Sequence, residues 1–158
     1  MLAVGETPAD FTLNDDRGNV VRWADFRGKP VVVFFYPRAN TPGCTKEACA
    51  FRDLRPEFEK RGVVVLGMSA DSVKSQNNFR EKYDLTMPLI ADPDKVVLLA
   101  WGVFGEKTMY GKKVQGIRRS TFLFDAAGKV VHAWENVRVE GHAEAVLAKV
   151  QALFSNNA

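Results

Sequence analysis

The chain contains two cysteines, Cys44 and Cys49. Both fall in the stretch Tyr36-Pro37-Arg38-Ala39-Asn40-Thr41-Pro42-Gly43-Cys44-Thr45-Lys46-Glu47-Ala48-Cys49. Thr41 is a good helix N-cap and Pro42 suits a first helical position, so Cys44 is expected at about the third residue of a helix. Backbone N–H groups of a first helical turn have no intrahelical partner, and the macrodipole concentrates positive charge there. Both effects favour thiolate over thiol, the form that acts as a nucleophile. The end of a strand is also a usual place for the active site of an α/β protein. The competing reading of Cys44 by position alone is a small apolar side chain packed beneath a sheet.

Cys49 adds to the chemical reading. Residues five apart on an ideal helix have Cα atoms about 8–9 Å apart and point about 140° from each other. A disulfide needs Cα atoms closer than about 7 Å. A Cys44–Cys49 bond therefore requires the first turn and a half to unwind, and it closes only a short loop. Such a bond is a poor staple; the spacing suits a transient bond made during turnover. Cys44 shares a helix face with Ala48 and Phe51, whereas Cys49 points away from them. Zinc coordination needs about four ligands at suitable spacing, yet the only histidines, His132 and His142, are remote in sequence. They read as ordinary polar side chains, one in an alternating strand and one beside a helix start. There is no Gly-rich phosphate loop and no serine nucleophile elbow. A thioredoxin-type protein disulfide reductase is a weaker reading, because it rests on C-x-x-C. A redox sensor that remodels its surface through the disulfide remains an alternative to an enzyme.

The elements that must position these residues follow from hydrophobic pattern. Phe11 to Trp23 reads as a hairpin turning at Asp15 to Asn19. Val31 to Tyr36 is a continuous apolar run suited to a strand buried on both faces, and Pro37 ends it. In the next helix Ala48, Phe51, Leu54 and Phe58 form an apolar stripe, and Pro56 predicts a kink or a split. Val63 to Met68 is a second buried strand. Asp71 or Ser72 caps a helix through Tyr83, Leu89-Ile90 is a short strand, and Asp92-Pro93 opens a helix ending at Gly102. The region 102–116 reads as a long loop or hairpin. Thr121 to Phe124 and Lys129 to Trp134 are antiparallel strands about a short turn. A final helix, about 142–154, presents Ala145, Val146, Val150 and Phe154. This order predicts an α/β fold: a central mixed β-sheet flanked by helices on both faces, with an N-terminal β-hairpin.

Length and composition fit one domain spanning 1–158. Hydrophobic residues make up 46% and charged residues 26%, with a formal charge of +3 spread along the chain. That balance gives no nucleic-acid or membrane footprint. The densest basic cluster, Lys112, Lys113, Arg118 and Arg119, reads first as a solvated loop. The opening MLAVGETPAD lacks the basic and apolar regions of a secretory leader, and no apolar run reaches membrane-span length. The expectation is a cytoplasmic protein, where two cysteines are more often redox-active than structural.

Pro37-x-x-x-Thr41-x-x-Cys44 resembles the active-site signature of the peroxiredoxins. Cys49, five residues on, resembles the resolving cysteine of their Q-type, bacterioferritin comigratory protein branch. The likeness extends to Gly5-Glu6-Thr7-Pro8-Ala9-Asp10-Phe11, Phe34-Phe35-Tyr36-Pro37 and Gly116-Ile117-Arg118-Arg119-Ser120-Thr121-Phe122. The resemblance implies a thioredoxin-like fold and reduction of hydrogen peroxide or organic hydroperoxides. It implies Cys44 as peroxidatic nucleophile and Cys49 as resolving residue, paired in an intrachain disulfide that thioredoxin or a similar dithiol reduces. Thr41 and the N–H groups of Gly43 and Cys44 are expected to contact sulfur and peroxide, and Pro37 to shape and shield the pocket. Arg119, matched to the family's Arg before Ser-Thr-Phe, is expected to hold the thiolate and polarise the peroxide. Alternation would point Arg118 the opposite way if a strand starts there. No metal, haem or flavin is implied, and likeness to the Q type favours a monomer, with a dimer possible.

Overall fold

The computed structural model describes residues 1–154; residues 155–158, the end of the expected domain span, lie outside the described residues. In chain order the elements are β1 (Thr12–Asp15), β2 (Val20–Arg22), a 3-10 turn (Trp23–Phe26), β3 (Val31–Phe35), α1 (Pro42–Glu59), β4 (Val64–Ser69) and α2 (Val73–Tyr83). They continue with β5 (Leu89–Ala91), α3 (Val96–Ala100), β6 (Phe104–Met109), β7 (Lys112–Ile117), β8 (Ser120–Phe124), β9 (Val130–Trp134) and α4 (His142–Leu153).

One seven-stranded sheet runs in the order β2-β1-β5-β4-β3-β8-β9, and β6-β7 form a separate two-stranded ribbon. β3, β4 and β5 are parallel to their neighbours in that trio, whereas β1, β8 and β9 join antiparallel. The interior strand β3 is buried along its whole length because both its faces are covered. Val32, Phe34 and Tyr36 face a core shared with Phe51 and Phe58 of α1, Phe79 of α2 and Val146 of α4. Val31, Val33 and Phe35 face a second core with Trp23, Leu98 and Trp101, beneath the 3-10 turn and α3. The strand on which α1 depends is thus clamped on both sides by about the apolar mass that its composition demands. Gly67 of β4 is required where the first core is tightest, since a Cβ there would lie 2.9 Å from Phe34 Cζ.

Several local expectations change. Pro56 neither splits nor ends α1: it is exposed in the last turn, so its missing N–H affects only the solvent side of a helix already closing. The helix expected from Asp92-Pro93 begins later, at Val96, and Asp92 serves it from a distance, its carboxylate accepting from the Val96, Val97 and Leu98 N–H groups at 2.9–3.0 Å. Ala145 is exposed; α4 instead buries His142, Ala143, Val146, Leu147 and Val150. Asp16, read as a turn residue, is buried and pairs with Arg80 of α2, while its second oxygen accepts the Leu89 N–H at 3.0 Å. These contacts explain why the N-terminal hairpin is stitched onto the main sheet beside β5.

Candidate active site

β3 delivers the chain to its C-terminal end inside the sheet, and the loop Pro37–Thr41 turns it into α1. That loop is held from below by a buried polar network. The Ala39 N–H donates to an Asp71 carboxylate oxygen at 2.8 Å, and the Ser69 hydroxyl donates to the same oxygen at 2.6 Å. The Tyr36 hydroxyl donates to the Gln76 amide oxygen, while Gln76 Nε2 donates to Ser69 Oγ at 2.9 Å and to the Ile90 carbonyl at 3.0 Å. Each member is buried or half-buried and satisfied, the condition under which such a network rigidifies its surroundings.

Cys44 occupies the third residue of α1 and is only 2% exposed. The first intrahelical bond runs from the Thr45 N–H to the Thr41 carbonyl at 2.8 Å, so the Gly43 and Cys44 amides belong to the unpaired first turn. Thr41 stands at the N-cap position, but its side chain does not cap. Its hydroxyl donates to the Arg38 carbonyl at 2.7 Å instead, which leaves the first-turn amides free of a side-chain cap.

Arg119 reaches this turn from the other side of the fold. Its Nη2 lies 3.3 Å from Cys44 Sγ, and its Nη1 lies 2.7 Å from Glu47 Oε1. The planar fork therefore binds two residues one turn apart on α1, a geometry that a lysine could not reproduce. Gly43 makes room for it: a Cβ there would stand 3.3 Å from Arg119 Nη2. Neither Arg118 nor Arg119 lies in a strand, since β7 ends at Ile117 and β8 starts at Ser120. They nevertheless diverge, Arg118 Nη2 donating to the Gly102 carbonyl at 2.6 Å.

Glu47 escaped the sequence reading. It is 1% exposed, and among the described residues its second oxygen has no hydrogen-bond partner. Burial pushes its carboxyl up to about 7, against the opposing charge and hydrogen bond of Arg119. The signal was present in the spacing, because Glu47 falls between Cys44 and Ala48 on the same apolar face. Arg119 is held firmly charged: burial works against the cation, but Glu47 and Cys44 outweigh it and its pKa rises. His142, at the start of α4, is buried with Nε2 2.8 Å from Thr121 Oγ1, and burial, then the charge of Arg119, pushes it down to about 4.

Cys49 is half-buried, and both cysteines are free thiols on one unbroken helix. Pro37 is half-buried and forms one wall of a groove of about 570 Å³, together with Lys107, Thr108, Ile117, Arg119 and Asn136. Cys44, Gly43 and Arg119 are thus brought together, with Thr41 and Pro37 in the loop beside them.

A buried cysteine at a helix start on a mixed sheet, with an arginine against its sulfur, is the arrangement of a thiol-dependent oxidoreductase of thioredoxin-like fold. Residues 4–133 match the model of the AhpC/TSA family. The chain is 52% identical over 141 residues to a putative peroxiredoxin of Mycobacterium tuberculosis, covering 89% of this chain and 90% of that protein. It is 47% identical over 153 residues to peroxiredoxin Bcp of Xanthomonas campestris, covering 95% and 96%. A structure of Xanthomonas campestris peroxiredoxin Q superposes with a TM-score of 0.90 at 47% identity, over 96% of this chain and 98% of that one. The chain therefore belongs to the AhpC/TSA family and is a peroxiredoxin of the Bcp/peroxiredoxin Q type, a thiol peroxidase. Its family acts on hydroperoxides with thiol reductants. Among the described residues, no helix is long and apolar enough to cross a membrane.

Proposed function

We propose that the chain reduces hydrogen peroxide and organic hydroperoxides through a Cys44 sulfenic acid and an intrachain Cys44–Cys49 disulfide, recycled by thioredoxin or a similar dithiol. The observation that carries this reading is the 3.3 Å contact between Arg119 Nη2 and Cys44 Sγ at an uncapped helix start. The Cys44 thiolate attacks one peroxide oxygen; the S–O bond forms, the O–O bond breaks, and the departing alkoxide or hydroxide takes a proton from water. Arg119 and the Gly43 and Cys44 amides stabilise the charge as it moves from sulfur to oxygen. Thr41 and Pro37 shape the pocket in which the peroxide lies.

Oxidation then loosens the site. The thiolate is one of the two anions that hold Arg119 against α1, and a neutral sulfenic acid removes it. The first turn and a half unwinds, and Cys49 attacks the Cys44 sulfur as a thiolate. The S–S bond forms, the S–O bond breaks, and oxygen leaves as hydroxide, which takes a proton from water. An external dithiol returns two electrons and two protons by exchange. A structure of the Xanthomonas campestris relative is described as an insight into its alkyl peroxide reduction activity, which supports organic substrates here. Action as a monomer in the cytoplasm, within one domain spanning 1–158, belongs to the same proposal.

The test is NADPH oxidation coupled through thioredoxin reductase and thioredoxin, with hydrogen peroxide or cumene hydroperoxide, on wild type, Cys44→Ser and Cys49→Ser. Turnover should vanish in Cys44→Ser. In Cys49→Ser thioredoxin-linked cycling should fail, and mass spectrometry should show Cys44 accumulating as sulfinic acid. Stoichiometric oxidation without turnover in wild type would replace the enzyme by a peroxide-responsive switch.

A further inference from the structure

Three cations converge where the β6–β7 ribbon approaches the active site, and each lies against a glycine. Arg119 passes Gly43, and Arg118 passes Gly105, where a Cβ would stand 3.8 Å from its Nη2. Lys107 lies across Gly116 on the facing strand, where a Cβ would stand 2.9 Å from its Cε. The absent side chain at 116 lets the lysine fold back, so that its Nζ donates to the Ile117 carbonyl at 2.8 Å.

The three differ in how their charges are met. Arg119 is engaged by Cys44 and Glu47, and Arg118 by the Gly102 carbonyl. Lys107 is half-buried, and among the described residues no carboxylate lies within ion-pair distance of it. Glu106, also on the groove, is exposed and its Oε1 lies 3.6 Å from Lys113. Burial and then the charge of Arg119 lower the Lys107 pKa, while Cys44 pushes the other way. An ammonium with two spare donors, partly desolvated beside a second cation, is in a position that an anion would stabilise. Ile117 and Pro37 supply apolar wall to the same groove, and Arg119, which also lines it, contacts the Cys44 sulfur.

We propose that Lys107 is a specificity-determining residue that binds the carboxylate of an anionic organic hydroperoxide whose peroxide end reaches Cys44 along this groove. This rests on the peroxidase reading and leaves its chemical step unchanged. Arg118, on the same groove, adds to the positive field. A neutral hydroperoxide of the same carbon skeleton forgoes the contact.

Cumene hydroperoxide and its para-carboxyl derivative share one skeleton and differ in that charge. Their kcat/KM values are compared with that for hydrogen peroxide in wild type, Lys107→Gln, Lys107→Arg and Gly116→Ala. Wild type should prefer the carboxylated substrate about tenfold, the size expected for one half-exposed charge-assisted hydrogen bond. The preference should collapse in Lys107→Gln, persist in Lys107→Arg and weaken with added salt. Gly116→Ala keeps the lysine but displaces its flexible end, so the preference should fall there as well. A wild-type ratio near one, or a ratio unchanged in Lys107→Gln, would overturn the assignment while leaving the peroxidase intact. Failure to turn over all three peroxides would overturn the peroxidase reading and this assignment with it.

Discussion

Replacing Arg119 with methionine keeps most of the stem and removes the charge that faces Cys44. The guanidinium nitrogen is 3.3 Å from the sulfur, and the arginine side chain is only 17% exposed. At an effective dielectric of about 20, unit charges at such a separation attract by about 4–5 kcal/mol. Part of that attraction holds in the ground state, and removal of one such donor elsewhere costs about 2.7–4 kcal/mol at the transition state. The rate constant for Cys44 oxidation should therefore fall about 10²–10³-fold. Lysine restores charge but cannot span the 2.7 Å contact to Glu47 and the 3.3 Å contact to Cys44 together, so Arg119→Lys should fall between the two. The loss should be read in a single turnover, by competition for hydrogen peroxide at pH 7, which excludes the resolving and recycling steps. A rate for Arg119→Met within about threefold of wild type would refute the electrostatic argument, provided Cys44→Ser is inert.

The pH dependence of stability gives two opposed signatures. The Glu47 carboxyl is raised from 4.5 to about 7, so the folded state holds a proton that the unfolded state has lost. Wild-type stability should fall by up to about 3 kcal/mol as pH rises from 4.5 to 7. Urea melts of Glu47→Gln should lack that slope, and parallel curves would count against it. His142 runs the other way: its pKa falls from 6.5 to about 4, so its contribution is complete above pH 6.5 and is lost as pH drops towards 4. His142→Gln should remove a loss of about 3 kcal/mol over that window; an unchanged acid limb would show that the ring titrates as it does in the unfolded chain. Because the two windows overlap, each is measured as a difference from wild type.

Much of the architecture was legible because each element carried its own local signal. The apolar run Val31–Tyr36 could only be a strand covered on both faces, and Pro42 after Thr41 marked the helix start that presents Cys44. The ribbon β6–β7 was half legible, as one of two readings of a Gly- and Lys-rich stretch. Where the reading slipped, a residue's role depended on distant partners. Asp16 looks like a turn residue until Arg80 and the Leu89 amide meet it from elsewhere in the fold. Thr41 has the side chain of a helix cap, yet its hydroxyl finds the Arg38 carbonyl first. Ala145 fits the apolar pattern of α4 but lies on the wrong side of the helix to be covered.

By itself the sequence determined the class of chemistry: two cysteines on one helix, at a spacing that forbids a bond until the helix unwinds. It also determined the order of strands and helices, because period and punctuation are local properties of a chain. Only the tertiary structure decided which groups surround the sulfur. Arg119 lies seventy-five positions from Cys44, and Glu47 becomes a buried acid only because the packed fold closes over it, with that arginine opposing the shift. The groove with Lys107 exists because a ribbon folds back beside the same loop. Burial and charge proximity are sums over the whole packed molecule, and no short stretch of sequence contains them.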